Sequence, residues 1–90
     1  MTDVLIKNGT IVDGTGAPAF VGDVAIEGGR IVDVGTLDGS DAELVIDATG
    51  RYVSPGFVDP HSHSDFTLLT NPNCESTVRQ GVTTEVVGNC

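Results

Sequence analysis

Two histidines one residue apart, His61 and His63, are the residues of this chain best suited to chemistry. In a β-strand, positions i and i+2 point to the same side and lie about 6.6 Å apart along the chain. Two imidazoles so placed can converge on one divalent ion, and neutral imidazole is a good ligand for Zn2+ and related metals. Asp59 and Asp65 flank the pair. Each is a candidate to accept the second ring N–H of a metal-bound histidine and so fix its tautomer, or to meet the substrate. For Asp59, which precedes Pro60, a turn closed by its own side chain is a competing role. Cys90 adds a sulfur. A thiolate beside a divalent cation is deprotonated and becomes a ligand, whereas an ordinary free cysteine packs as a small hydrophobe. That packing role suits Cys74 better, and a Cys74–Cys90 disulfide is not expected in a cytoplasmic chain.

The elements that must position these residues fall into two groups. In the first fifty residues, Val4 to Lys7 and Thr10 to Asp13 flank Asn8-Gly9, a dipeptide suited to a two-residue type I′ hairpin turn. Asp23 to Glu27 and Arg30 to Val34 flank Gly28-Gly29 in the same way. That second hairpin would set Glu27 opposite Arg30 and Ile26 opposite Ile31. Residues 14–22 read as a loop holding Pro18 and Phe20, residues 35–43 as a polar connection, and Leu44 to Ala48 as a further strand. Arg51 to Val53 continues as strand, and Ser54-Pro55-Gly56 then turns the chain.

Phe57-Val58-Asp59 resumes an extended run and leads into the histidine pair. Asn71 or Asn73 is a candidate helix cap, Glu75 to Gln80 a short helix, and Gly81 its terminator. Val82 to Val87 is rich in β-branched residues and reads as a strand that ends at Gly88-Asn89-Cys90. Strand, helix and strand make one β-α-β unit with parallel strands. Active sites of α/β barrels and open sheets lie at the C-terminal ends of such strands, and His61, His63 and Cys90 all fall there. A two-stranded parallel pair leaves both faces and both edges uncovered, so the sequence reads as cut. Residues 1–54 are expected to form a small β domain and residues 55–90 the start of a larger α/β domain.

The chain has 90 residues, with 13 Asp and Glu against 4 Lys and Arg, for a net charge of -9. That charge would repel nucleic acid and anionic membrane surfaces. No run approaches the ~20 apolar residues of a membrane span, and Met1-Thr2-Asp3 leads into Val4-Leu5-Ile6 without the basic and apolar regions of a secretory leader. A cytoplasmic location is the expectation.

The run from Ser54 to Asp65, SPGFVDPHSHSD, resembles the first-strand metal motif of the amidohydrolase superfamily. The segments NGTIVDGTG and DVAIEGGRIVDVG are similar to the N-terminal half of that superfamily's small β-sandwich, and GVTTEVVGNC is similar to the second strand of its N-acyl-D-amino-acid deacylases. The resemblance covers essentially the whole chain. It implies an α/β fold, with the N-terminal part of a small β-sandwich followed by the first two strands of a metal-dependent (β/α)8 barrel. It implies that His61, His63 and Cys90 ligate a zinc centre of one or two ions, completed by histidines of later strands that lie beyond this chain. The catalytic aspartate of the last barrel strand would lie beyond it as well. The activity implied is hydrolysis of an N-acyl-D-amino acid, a small molecule, by metal-activated water. A cyclic-amide hydrolase of the dihydropyrimidinase or dihydroorotase type is the alternative within the superfamily. It resembles this chain at the histidine pair but bridges its metals with a carboxylated lysine, so Cys90 discriminates the two. A third reading, from another class, is a binding module made of the β hairpins alone, which would take up no metal.

Overall fold

A computed structural model describes residues 2–37, 41–62 and 71–87. The chain divides into two compact units, Met1–Pro55 and Gly56–Cys90.

The first unit is built around one long strand, β1 (Thr2–Ile11), which is paired along both edges. On one side it runs antiparallel to β2 (Phe20–Glu27), and β2 in turn pairs antiparallel with β3 (Arg30–Gly35). On the other side it runs parallel to β4 (Ala42–Asp47) and, further along, to β5 (Tyr52–Val53). The result is a five-stranded mixed sheet in the order β3-β2-β1-β4, with β5 also on β1. Double pairing explains why the buried apolar residues concentrate on the two central strands, as Leu5, Ile11, Val24 and Ala25, joined by Ala48 just past β4. One face of the sheet carries an apolar cleft of about 320 Å3 lined by Ile6, Ile11, Val24, Ile26, Ile31 and Val34, with Val53 and Pro55.

The β2–β3 hairpin matches the sequence expectation. Gly28 and Gly29 both have positive φ (59° and 75°), as a type I′ turn requires, and Glu27 pairs with Arg30 and Ile26 with Ile31. The Asp3 carboxylate accepts the Gly28 N–H at 2.8 Å and ties the turn to β1. The hairpin expected at Asn8-Gly9 does not form. β1 runs straight through this dipeptide, and the pairing with β2 jumps from Ile6–Val24 to Gly9–Gly22, so Lys7 and Asn8 bulge opposite Asp23. Asn8 adopts the left-handed conformation (φ 63°), but Gly9 does not share it, and a type I′ turn needs both. Gly9 is instead required by space, because a β-carbon there would run into the Val53 side chain and press on Ala48.

Asp23 closes the bulge. It is 5% exposed, and its two oxygens accept the Asn8 N–H (2.9 Å), the Leu37 N–H (2.9 Å) and the Lys7 ammonium (3.1 Å). Lys7 also donates to the Leu37 carbonyl at 2.8 Å. The Leu37 and Asn8 amides, followed by the Lys7 contact, hold the Asp23 carboxyl below its ordinary value. The loop expected over residues 14–22 is also shorter, since Phe20, Val21 and Gly22 belong to β2 and pair with Ile11, Thr10 and Gly9. A lone aromatic after a proline gave no strand periodicity. The pairing partner is supplied only by the extension of β1 through the bulge.

Candidate metal centre

The second unit has two short strands, β6 (Phe57–Asp59) and β7 (Val82–Glu85), with the helix α1 (Glu75–Val78) between them in sequence. The strands pair in parallel, with Phe57 opposite Val82, Val58 opposite Thr84 and Asp59 opposite Glu85. This is the β-α-β unit expected from the sequence. The helix is shorter than expected and stops at Val78. Its N-cap is Cys74, in the left-handed conformation (φ 47°) and without a side-chain cap, in place of Asn71 or Asn73. Asn71 takes part through its carbonyl, which accepts the Cys74 N–H at 3.3 Å. Gly81 ends the turn with φ 89°, as expected.

The ladder shifts once between Phe57 and Val58 and changes step again where the histidine motif begins. The Val86 N–H donates to the Asp59 carbonyl at 2.8 Å. In an unbroken parallel ladder the next donor back to Val86 would be the amide of His61, two residues beyond Asp59. Here Ser62 donates to the Val86 carbonyl instead, at 2.9 Å, and the His61 N–H is taken by Asp59 Oδ1 at 3.1 Å. Pro60 has no N–H to offer. The segment Pro60-His61 therefore stands out from the strand as one extra residue, with His61 exposed and Ser62 buried.

This geometry places the expected site residues as follows. His61 lies two residues past the end of β6, outside the regular alternation on which the i, i+2 spacing rests. Asp59, half-buried, closes a turn through its own carboxylate, the competing role that its position before Pro60 suggested. His63, Asp65 and Cys90 lie outside the described residues. Among the described residues no three His, Cys, Asp or Glu side chains gather closely enough to hold a metal. One rim residue went unremarked in the sequence. Glu85, half-buried and paired with Asp59, has one side-chain oxygen, Oε1, that is buried and accepts no hydrogen bond among the described residues. Its only sequence signal is an acidic residue inside a β-branched run, and a buried carboxylate oxygen of this kind is rare.

Comparison with known proteins adds the family. The amidohydrolase family model matches residues 44–90. The N-acyl-D-aspartate deacylase of Alcaligenes xylosoxydans xylosoxydans is 47% identical over 88 residues, which are 98% of this chain and 18% of that enzyme. The crystal structure of the N-acyl-D-glutamate deacylase of Bordetella bronchiseptica, complexed with zinc and a phosphonate inhibitor, superposes with a TM-score of 0.92 at 43% identity. It covers 99% of this chain and 19% of its own. A D-aminoacylase structure described by its binuclear metal centre gives a TM-score of 0.93 at 46% identity, over 100% of this chain and 19% of that one. The chain thus spans about a fifth of the length of the relatives it matches. With a strand-rich first unit and a parallel β6–α1–β7 unit that follow those enzymes throughout, and a family match over more than half of its residues, this chain belongs to the amidohydrolase family.

Proposed function

We propose that this chain is the N-terminal part of a zinc-dependent hydrolase that removes the acyl group from N-acyl-D-amino acids. The observation that carries the reading is the 47% identity to an N-acyl-D-aspartate deacylase across 98% of the chain. The first unit would be part of the small β-sandwich, and the second would open the (β/α)8 barrel. His61, His63 and Cys90 would hold the metal. The donor set suits zinc, since imidazole and thiolate are its preferred protein ligands, and His61 is exposed at the end of a parallel strand. Bound there, zinc would acidify a water and polarise the scissile carbonyl. The chain's own part is to present His61 at the rim, with Asp59 fixing the local backbone and Asp65 close by in sequence. The proton-transferring aspartate and the remaining ligands would come from the rest of the protein. The substrate is a small N-acyl amino acid.

The test uses the full-length protein. Its activity is measured on N-acetyl-D-amino acids, on the L forms and on a cyclic amide, and metal content is measured in Cys90→Ala and Cys74→Ala. The reading expects hydrolysis of the D substrates, loss of tightly bound zinc and of turnover in Cys90→Ala, and a near-silent Cys74→Ala. Hydrolysis of the cyclic amide alone, or equal zinc in the two variants, would overturn it.

A further inference from the structure

We infer that Asp59 is a positioning residue that sets the metal-binding imidazole through the backbone of His61, not through the imidazole ring. The inference rests on the metal reading above for its consequence, and on hydrogen bonds already described for its geometry.

Three observations converge. The β6–β7 ladder shifts once between Phe57 and Val58 and is then in step through Val58–Thr84 and Asp59–Glu85, and the Asp59 carbonyl accepts the Val86 N–H at 2.8 Å. The following donor to Val86 is Ser62, one residue later than a regular ladder requires. The amide that is skipped, that of His61, is held by Asp59 Oδ1 at 3.1 Å. The residue between them is a proline, which can neither donate to the carboxylate nor continue the ladder. Remove the carboxylate and the His61 N–H has two choices. It can be left to solvent, or it can reclaim Val86 and draw Pro60-His61 back into the strand. The second outcome turns the His61 side chain, because a one-residue change of register in a strand moves a side chain to the other face, and the first leaves Pro60-His61 without the bond that fixes its backbone. Bulges of this kind re-aim side chains beside active sites. The carboxylate oxygen is thereby a latch on the register of the metal motif.

This role differs from the one usually given to a carboxylate beside a metal-bound histidine. A ring partner works by charge and by fixing the tautomer. A backbone latch needs only an acceptor oxygen at the right place, which asparagine also offers and which it uses readily in turns of this type. The two roles separate on one pair of substitutions.

The experiment compares Asp59→Asn and Asp59→Ala in the full-length protein. Zinc affinity is read by competition with a chelator, and exchange of the His61 amide hydrogen is read in the metal-free protein. The latch predicts faster His61 exchange in Asp59→Ala and near-native protection in Asp59→Asn. It predicts a loss of zinc affinity in the alanine variant on the order of 10–100-fold, with most of it restored by asparagine. An asparagine variant as defective as alanine in both readings would show that charge is what matters and would overturn the inference. So would an alanine variant with native exchange and affinity. If alanine fails to fold, Asp59→Leu takes its place, since leucine is close to asparagine in shape but offers no acceptor. Should the unaltered protein bind no zinc, the metal reading fails, yet the exchange comparison still decides whether Asp59 holds the His61 backbone.

Discussion

The two units use the same device for different ends. In the first, Asp23 Oδ1 accepts the Asn8 N–H at a bulge in β1, and in the second, Asp59 Oδ1 accepts the His61 N–H where β6 gives way to the metal motif. Each carboxylate takes an amide that has left its ladder. The surroundings set the difference. Asp23 is buried between two strands, collects two amides and an ammonium, and leaves its bulge with a single arrangement. Asp59 is half-buried, and Oδ1 has the His61 amide as its one described donor, next to an exposed histidine. A bulge locked from three directions is scaffold. One whose displaced amide is taken by a half-buried carboxylate at a rim can hold an imidazole and still be sensitive to one substitution.

Several substitutions would break or sharpen this contrast. The largest effect is expected for Asp23→Ala, which leaves the Asn8 and Leu37 amides without their acceptor and Lys7 without its carboxylate partner. We expect a loss of at least about 3 kcal/mol in stability of the first unit, read from its urea midpoint. Asp59→Ala should cost global stability much less while moving the His61 readings. A native midpoint for Asp23→Ala would erase the distinction between the two carboxylates. Next in size is Gly9→Val, which drives a side chain into Val53 and Ala48 and should cost about 1–3 kcal/mol. It tests whether β1 must lie close beside β5 for the bulge to exist. Gly29→Ala, at φ 75°, should cost about 1–2 kcal/mol for placing a β-carbon in the left-handed region, without disturbing Asp23.

A smaller and graded effect is expected with pH. Because the folded-state pKa of Asp23 is lowered, its contribution to stability is complete above the unfolded-state value of about 3.9 and is lost as pH falls through the folded value. Asp13 and Asp47, each held by the hydroxyl and amide of the threonine two residues on, are lowered as well and act in the same direction. Asp23→Asn should flatten the acid limb of a stability-against-pH curve more than Asp47→Asn does. Equal flattening would mean that the second amide and the Lys7 ammonium add nothing to the effect on Asp23.

What could be read from the residues alone followed from local chemistry. Gly28-Gly29 between alternating strands required a tight turn, and both glycines have the positive φ that it demands. Phe57 to Asp59, a short helix and a β-branched run ending near Cys90 required a parallel β-α-β unit, and β6 and β7 pair in parallel. His61 stood out as a ligand candidate because few other residue types can bind zinc from a strand end. The tertiary structure decided the rest. Asn8-Gly9 carries the same local turn signal as Gly28-Gly29, yet β1 passes through it, because pairing with β2, β4 and β5 and the burial of Asp23 outweigh a local preference. The two roles open to Asp59 could not be separated by spacing. That choice depends on which amide loses its place in the ladder, and a ladder exists only once two strands distant in sequence have met.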